Sequence, residues 1–413
     1  MDFKQGSITT IHNLQVDDKF LHAEVCELSR DKKCALVIPM HYRELGTPAL
    51  KGIVKKLGKN SFLNEIIIAL TARNKKEYEK VSKFFKPLGK KCRVLWCEAP
   101  KVIKTIDSLK SAGIEIRAHG GKGRAIWLAF GIASLNNYAV ALHDADIENY
   151  SEKILPRLLY PILEPSLDYS FSKGYYARVS DNKMWGRVAR LFFSPFVKAL
   201  QYKTKFRSKF LRYLEDYRYP LSGEMAMTTD LSLNLRIPDD WGLEVGILAE
   251  IYRNIALKRV CQIDLDFYSH KHQDLGDKSD GLSKMASEIV KTSFRTLSEL
   301  EGTDISSSMQ LSLRVLYRRL AQDSIRKYYS DCKMNGLSYN RHDEELAVEE
   351  FAKAISSAAT SYLNNPTSHQ YPDWVRVMEA VPALPKELKK SAKRWKVQSE
   401  LRNIILSEAE DLF

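Results

Sequence analysis

The chain has 413 residues, of which 44% are hydrophobic, so it suggests one large or two medium domains with a sizeable buried core. Its apolar runs, such as 66–70 and 125–133, are too short to span a membrane, and its polar N-terminus lacks the apolar stretch of a secretory signal. The six cysteines form no C-x-x-C pair, which argues against a zinc site or a disulfide framework and predicts a soluble, cytoplasmic protein.

The formal net charge of +13 is compatible with nucleic acid, with small anionic substrates, or with solubility alone. Basic residues concentrate in segment 181–220, which has ten Lys or Arg against three acids. Aromatic residues between them could stack on bases. However, they recur at the helical spacing that is more typical of a core or an interface, at Phe192, Phe196, Phe206, Phe210, Tyr213 and Tyr217. No helix-turn-helix, zinc-finger or RNP motif is present, so phosphorylated small molecules are favoured over nucleic acid.

Residues 1–33 have a weak pattern and are interpreted as an N-terminal lead-in. Apolar strand patterns then alternate with helical ones. Strands are predicted at 34–40, where Pro39 should end the strand, and at 64–70, 91–96 and from Tyr138 onwards; helices are predicted at 44–57, 75–85, 101–112 and 121–135. This alternation predicts an α/β fold with a mostly parallel sheet covered on both faces. Right-handed crossovers place loops 39–44, 71–74 and 144–146 on one edge, and no P-loop or Rossmann motif follows the first strand.

A glycine-rich loop, His-Gly-Gly-Lys-Gly at 119–123, begins the fourth predicted helix. Glycines at 120, 121 and 123 let the backbone bend and approach a ligand closely. Lys122 lies where the free N–H groups of a helix N-terminus also favour anions. The same pattern occurs at ordinary helix starts with a solvent-exposed lysine.

Two carboxylates, Asp144 and Asp146, follow the apolar run that begins at Tyr138. If the strand extends to Asp144, then Asp146 lies just beyond its carboxyl end, where open α/β sheets bind ligands. Two carboxylates suit Mg²⁺ or Mn²⁺ shared with substrate phosphates, although a D-x-D can also be a surface turn. With Lys122 about twenty residues upstream, the pattern predicts that a lysine and a cation hold a diphosphate between them.

The run G-G-K-G-x-A-x-W at 120–127, followed by a strand ending in D-A-D, resembles the retaining nucleotide-sugar glycosyltransferases of the glycosyltransferase-A fold. The resemblance is closest to the glucosyl-3-phosphoglycerate synthases. Further matching pieces lie at 186–188, 220–224, 241–246 and 264–272, so it spans roughly 34–300. It implies transfer of glucose from a nucleoside-diphosphate glucose to 3-phosphoglycerate, with retention and with Mg²⁺ or Mn²⁺.

The resemblance also implies roles for individual residues. Those implied to bind the nucleotide-sugar are Pro39, Met40, Glu44, Thr71, Lys122, Asp144, Ala145, Leu221, Trp241 and Glu244. The implied metal ligands are Asp144, Asp146 and His270, and the implied acceptor-binding residues are Gly186, Arg187 and His272. Lys122, Asp144 and Glu244 would be catalytic, with Glu244 holding sugar hydroxyls near the reacting carbon.

Two departures from the family pattern bear on specificity. Residues 69–74 read Ala-Leu-Thr-Ala-Arg-Asn where the family has D-S-G-S-T-D, so the nucleoside (UDP, GDP or ADP) stays open. Ala189 replaces a threonine two residues after the acceptor arginine, which removes one hydrogen bond to the acceptor. Mannosyl transfer from GDP-mannose is the main alternative, and nucleic-acid binding is a more distant one.

Considered without the resemblance, the matching pieces after residue 180 give weaker evidence for a functional site. His270 and His272 alternate in an extended segment and so face one side, and the guanidinium of Arg187 suits a carboxylate or phosphate. Each also has an ordinary structural reading, and Glu224 is interpreted as structural.

Beyond about residue 285 the pattern is helical. One apolar stripe comprises Met285, Ile289, Phe294 and Leu297, a second comprises Leu311, Val315, Leu316 and Leu320, and an alanine-rich helix covers 346–362. The predicted organisation is a lead-in at 1–33, a glycosyltransferase domain at 34–280 and a helical subdomain at 281–413 that packs on the sheet domain and builds a homodimer.

Overall fold

The structure, a computed structural model, describes residues 4–116, 121–269, 281–366 and 369–394. The chain divides into two compact units. The first unit is made of residues 1–15, 168–225 and 235–371, and the second of residues 16–167, 226–234 and 372–413. Within the described ranges, no helix combines the length and the apolar character needed to cross a membrane.

The strands are β1 (Thr9–Ile11), β2 (Cys34–His41), β3 (Leu63–Thr71), β4 (Cys92–Trp96), β5 (Ala139–Leu142), β6 (Phe171–Ser180), β7 (Lys183–Met184), β8 (Met225–Thr228), β9 (Ile237–Pro238), β10 (Val260–Tyr268), β11 (Gln370–Tyr371) and β12 (Lys393–Arg394). The helices are α1 (Asp18–Leu28), α2 (Pro48–Leu57), α3 (Lys75–Phe84), α4 (Pro100–Asp107), α5 (Lys122–Ala133), α6 (Ile154–Leu163), α7 (Ser194–Lys203), α8 (Lys209–Asp216), α9 (Thr229–Leu233), α10 (Leu243–Asn254), α11 (Leu282–Glu301), α12 (Ser307–Met334), α13 (Arg341–Asn364), α14 (Trp374–Ala380) and α15 (Leu384–Ser391).

The second unit contains a parallel sheet built by the predicted strand–helix alternation. Strands β5, β2, β3 and β4 pair in parallel in that order, and β12 adds an antiparallel strand beside β4. The strands are buried almost continuously rather than alternately, as expected of a parallel sheet covered by helices on both faces. The predicted strands at 34–40, 64–70 and 91–96 are confirmed.

Pro39 does not end the first predicted strand, because β2 continues to His41. Its pairing with β5 stops at Val37, opposite Leu142, so Pro39 pairs only with β3, opposite Ala69. A proline has no N–H group to donate to a neighbouring strand, and β5 has already ended at this position, so one side of β2 has no strand there that requires a donor.

Three helices or strands begin or end at residues that differ from the predicted ones. Helix α2 begins at Pro48 because the Thr47 side chain caps it, while Tyr42–Glu44 forms a separate 3₁₀ turn. The third helix ends at Asp107 and continues as a 3₁₀ turn over Ser108–Ala112. Strand β5 ends at Leu142, so Asp144 lies beyond the strand and not at its last position.

Residues 1–33, predicted as a weakly patterned lead-in, form β1 and α1. In the first unit, β1 pairs in parallel with β10, and β10 in turn pairs in parallel with β6. In the second unit, the Asp17 side chain caps α1, which buries Leu21 and Val25.

The C-terminal region of the first unit is helical, as predicted, and its core is aromatic. Phe192 stacks on Phe196 at 5.4 Å between ring centroids, and it also contacts Tyr317 of α12 and Phe351 of α13. Five of the six aromatic residues at helical spacing in segment 181–220 are buried, and only Phe206 is exposed. These five rings are therefore unavailable for stacking on bases.

The predicted apolar stripe on α12 is only partly directed inward: Leu316 and Leu320 are half-buried, but the other two residues are not. Leu311 and Val315 are 77% and 70% exposed. The face that packs inward starts two positions later in the sequence and is formed by Leu313, Tyr317, Ala321 and Ile325. This helix carries apolar residues on two faces, and only the aromatic core identifies the buried one. On α11 the prediction holds for Ile289, Phe294 and Leu297.

Candidate active site

Lys122 and Asp144 form an ion pair in the second unit. Lys122 is the first residue of α5, and its Nζ lies 2.7 Å from Asp144 Oδ1 in the loop after β5. Both side chains remain partly exposed. Because α5 runs back along β2 and β3, its N-terminus returns to the edge at which β5 ends. Lys122 of the glycine-rich loop thus contacts the D-x-D loop directly, whereas the sequence predicted that the lysine and a cation hold a diphosphate between them.

The loop that carries Asp144, Ala145 and Asp146 is anchored by apolar neighbours. Ala145 and Ile147 are buried, whereas Asp144 and Asp146 reach partly into solvent. His143 is fully buried, and burial lowers the pKa of its imidazole to about 3, so the ring is neutral. Its only aromatic neighbour among the described residues is Tyr150, in an edge-to-face contact at 5.6 Å between centroids. The loop therefore presents alternate side chains: two carboxylates outward and the apolar positions inward.

The predicted nucleoside-binding residues of the second unit lie where β2 and β3 end. Pro39 and Met40 are the two residues before the last residue of β2. Glu44 is the last residue of the 3₁₀ turn that follows, and Thr71 is the last residue of β3. The Glu44 carboxylate accepts a hydrogen bond from Arg43 Nε at 3.1 Å.

Two features of this edge were not predicted. The half-buried Glu98 accepts a hydrogen bond from the backbone N–H of Ala72 at 3.1 Å, which fixes the loop after β3, and burial raises the pKa of this carboxyl. Burial, followed by the charges of Arg43 and Arg73, lowers the pKa of His41. Arg73 belongs to the stretch that departs from the family pattern D-S-G-S-T-D, so it adds positive charge to a stretch in which Ala69 and Asn74 replace the two carboxylates.

The Pro-Leu-Ser-Gly-Glu stretch at 220–224 is held by a buried lysine of the first unit. Lys173 of β6 is almost fully buried, and its Nζ donates to the backbone carbonyl of Ser222 at 2.7 Å. The Ser222 hydroxyl donates to the carbonyl of Gly174, and the N–H of Gly174 donates to the carbonyl of Glu224 at 2.9 Å. Leu221 is thereby held half-exposed at the tip of a fixed loop. Glu224 is fully buried, in agreement with its structural interpretation.

The Trp-Gly-Leu-Glu-Val-Gly stretch at 241–246 begins α10. Both glycines are required by packing: a Cβ at Gly242 would lie 2.2 Å from the Thr292 hydroxyl, and one at Gly246 would lie 2.2 Å from the Pro238 ring. The N–H of Trp241 donates to Glu288 at 2.7 Å. Glu244 lies in the first turn and is nearly buried.

The predicted acceptor residues Gly186 and Arg187 follow a tight hairpin in the first unit. Strands β6 and β7 are joined by Asp181 and Asn182, both with positive φ, as in a two-residue hairpin turn. Gly186 also has a positive φ of 77°, a conformation that favours glycine. Arg187 then begins a π-helical turn over Val188–Phe193.

Arg187 shares a buried carboxylate with Arg190. Its Nε donates to Glu344 Oε1 of α13 at 3.1 Å, and Arg190 Nη2 donates to the same oxygen at 2.8 Å while its Nη1 pairs with Oε2. The Glu344 and Arg190 side chains are 5% and 6% exposed. Neither Arg190 nor Glu344 was predicted, because no local pattern links residues 157 positions apart. The two remaining predicted ligands, His270 and His272, lie outside the described residues.

Two relatives match this chain along almost its whole length. It is 44% identical over 391 residues to a glucosyl-3-phosphoglycerate synthase of Methanococcoides burtonii, covering 94% of this chain and 96% of that one. It is 38% identical over 392 residues to the same enzyme of Persephonella marina, with the same coverage. A scan against protein-family models gave no match.

Solved structures with the same fold confirm the predicted glycosyltransferase-A architecture. Glucosyl-3-phosphoglycerate synthase of Mycobacterium tuberculosis, solved with Mn²⁺ and UDP-glucose, aligns with a TM-score of 0.52 at 19% identity over 73% of this chain and 88% of that one. Mannosyl-3-phosphoglycerate synthase of Rubrobacter xylanophilus aligns with a TM-score of 0.53 at 19% identity over 73% and 84%. Because the sequence relatives match nearly end to end at 44% and 38% identity, the chain belongs to the glucosyl-3-phosphoglycerate synthase family of glycosyltransferases.

Proposed function

We propose that the chain transfers glucose from UDP-glucose to 3-phosphoglycerate, giving glucosyl-3-phosphoglycerate with retention at the anomeric carbon. The observation that carries this proposal is the contact between Lys122 and Asp144, which joins the glycine-rich loop to the D-x-D loop. The near end-to-end match to two synthases of this name supports the reaction. The M. tuberculosis enzyme, solved with Mn²⁺, UDP-glucose and phosphoglyceric acid, supports the choice of substrates.

A divalent cation, Mg²⁺ or Mn²⁺, fits the oxygen donors of this loop. Asp144 and Asp146 both reach solvent after a buried strand, and two carboxylates completed by substrate phosphates are a common ligand set for these ions. His270 is the proposed third protein ligand. The cation would neutralise charge on the departing diphosphate.

Lys122 is placed to act on the same leaving group. Its ammonium is held by Asp144 at 2.7 Å and is partly exposed, and the free N–H groups of α5 add a positive end at the same position. The proposed role of Lys122 is to stabilise negative charge that grows on the diphosphate as the glycosidic bond breaks. Asp144 keeps that ammonium pointing at the loop.

Glu244 is proposed to hold sugar hydroxyls rather than to act as a nucleophile. A double displacement needs a carboxylate on the sugar face opposite the leaving group. Asp144 and Asp146 are assigned to the donor phosphates and the cation, and Glu244 is the only other acid with a proposed role at the sugar. The acceptor hydroxyl would enter on the leaving-group side and pass its proton to the departing diphosphate oxygen.

A substrate panel is the experiment that tests this function. UDP-, GDP- and ADP-glucose and GDP-mannose are each combined with 3-phosphoglycerate and with free glycerate, and product formation is measured. The highest kcat/KM is expected for UDP-glucose with 3-phosphoglycerate. A preference for GDP-mannose would assign mannosyl transfer instead, and no transfer with any pair would refute the proposal. A salt-dependent shift of labelled nucleic acid in that last case would favour the nucleic-acid alternative.

We also propose that the protein is a homodimer and is located in the cytoplasm. Leu311 and Val315 lie one helical turn apart and are largely exposed on α12, where a second copy of the chain could cover them. All six cysteines are free, which suits a reducing compartment. Light scattering of the protein and of a Leu311→Glu/Val315→Glu variant tests the dimer: a dimeric mass that falls to that of a monomer supports it, and a monomeric parent protein refutes it.

A further inference from the structure

The side chain of Arg187 is fixed through one of its three nitrogens. Its Nε donates to Glu344, and no described residue accepts a hydrogen bond from Nη1 or Nη2. The side chain is 23% exposed, so these two groups can reach a ligand. A guanidinium held at Nε still offers paired N–H donors in the geometry that matches a carboxylate or a phosphate.

Arg190 fixes the same carboxylate to the backbone of the acceptor hairpin. Its Nε donates to the carbonyl of Trp185 at 3.1 Å, and its Nη2 donates to the carbonyl of Met184 at 3.3 Å. The guanidinium also lies over the ring of Tyr328 of α12, 5.4 Å from its centroid. Glu344 is therefore held by a buried cation: Arg190 binds both carboxylate oxygens and shares Oε1 with Arg187.

A second attachment joins the hairpin to the same helices. The turn between α12 and α13 places Ser338 beside Asn182: the N–H of Ser338 donates to the carbonyl of Asn182 at 2.8 Å, and the two side chains meet at 3.3 Å. The residue before β7 is thus tied to the turn between α12 and α13, and the last residue of β7, Met184, is tied through Arg190 to Glu344 of α13. Gly186 and Arg187 follow immediately.

We infer that Glu344 is a positioning residue for the acceptor, and that it acts by holding the Arg187 guanidinium with its two Nη groups directed at the carboxylate or phosphate of the phosphoglycerate. This inference rests on the acceptor role proposed for Arg187. The charges support it, because two arginines and one carboxylate leave the cluster with a net positive charge for an anionic ligand. Because the guanidinium is ordered before binding, less conformational entropy is lost when the acceptor binds.

The test compares three variants in steady-state assays at varied acceptor and varied donor. Arg187→Ala removes the guanidinium. Glu344→Gln removes the charge that orients it, and Glu349→Gln is the matched control, because Glu349 also lies on α13 and pairs with an arginine of α12, Arg318, away from the hairpin. We expect Glu344→Gln to raise the acceptor KM about tenfold or more, the effect of weakening one charged hydrogen bond, with the donor KM changed less than about twofold. Glu349→Gln should leave both KM values at their parent levels.

The outcomes separate this inference from the proposed function. An unchanged acceptor KM in Arg187→Ala would reject the acceptor role of Arg187 itself. If Arg187→Ala raises the acceptor KM but Glu344→Gln lowers only the melting temperature, Glu344 is merely structural and the inference is wrong.

A second variant covers the case in which Glu344→Gln does not fold. Glu344→Asp keeps the charge that compensates buried Arg190 but draws the carboxylate back by one methylene, so the acceptor KM should still rise relative to the donor KM. Equal KM values for Glu344→Asp and the parent protein would overturn the inference.

Discussion

Gly131 is the position in the second unit where a single methyl group should have the clearest effect. It lies near the end of α5, directly beneath the indole of Trp374 from α14. A Cβ added there would lie 2.3 Å from Cζ2 and 2.5 Å from both Cε2 and Cη2 of that ring. Ordinary carbon–carbon contacts are about 3.5–4.0 Å, so the ring or the helix must move by more than about 1 Å.

Neither group can move without losing other interactions. Trp374 stacks on Trp127 at 4.6 Å between centroids, its Nε1 donates to the Trp127 carbonyl at 2.7 Å, and Trp127 Nε1 donates to the carbonyl of Pro372 at 2.8 Å. Overpacking of this kind costs about 1–3 kcal/mol, and the weakened hydrogen bond adds about 1 kcal/mol. The better helix propensity of alanine offsets about 1 kcal/mol. We therefore expect Gly131→Ala to lower the free energy of unfolding by about 1–3 kcal/mol.

Thermal unfolding followed by circular dichroism measures this effect, and Gly52→Ala is its control. Gly52 is also an interior helix glycine, in α2, but no atom lies within 4 Å of its added Cβ. That substitution should raise stability by up to about 1 kcal/mol, while Gly131→Ala should lower the Tm by a few degrees, since about 1 kcal/mol corresponds to about 2–4 °C in a domain of this size. If both variants raise the Tm equally, the packing between Gly131 and Trp374 is not as tight as described.

Three further predictions concern the metal site, the reaction mechanism and the pH dependence of protein stability. Asp146→Ala should abolish turnover while the far-ultraviolet circular dichroism stays unchanged, and full activity of the variant, or of the parent protein in excess chelator, would contradict the metal role. Glu244→Gln should retain measurable activity, and intact-mass spectrometry during turnover should detect no hexose on the protein; a glycosylated side chain would refute the single-step mechanism. Burial, together with the charge of Glu288, raises the pKa of Asp240 to about 6. Since this carboxyl binds its proton more tightly in the folded than in the unfolded chain, it favours folding below about pH 4, and that contribution of at most about 3 kcal/mol is lost as the pH rises through 6. Asp240→Asn keeps an acceptor for the N–H of Gly242, so its Tm should exceed that of the parent protein at pH 7.5 but not at pH 4; a constant difference at both values would be evidence against this titration.

The parts of the fold that the sequence predicted are those specified by local pattern. The continuous apolar runs of β2, β3 and β4 identify buried parallel strands because both faces of such strands are covered. The position of loops 39–44, 71–74 and 144–146 at one edge of the sheet followed from the rule that parallel strands end at a shared edge. Both inferences needed only neighbouring residues and a general topology.

The parts that were missed depend on partners distant in the chain. Strand β1 is three residues long and exists because it pairs with β10, in a register that joins Thr9 to Cys261. The face of α12 that packs inward is chosen by Phe192 and its neighbours rather than by the number of leucines on either face. No periodicity carries such information.

The C-terminal third of the chain, to which the sequence assigned no chemistry, supports residues of the candidate site. In the first unit, Glu344 of α13 binds the arginine proposed to hold the acceptor. In the second unit, Trp374 of α14 packs on α5, the helix whose first residue is the lysine proposed to act on the donor diphosphate. Each of these two residues thus contacts an element that carries a candidate site residue. Substitutions of Glu344 and Trp374 should therefore alter acceptor or donor kinetics through the geometry of Arg187 or Lys122, and their effects should appear in one KM and not in the other.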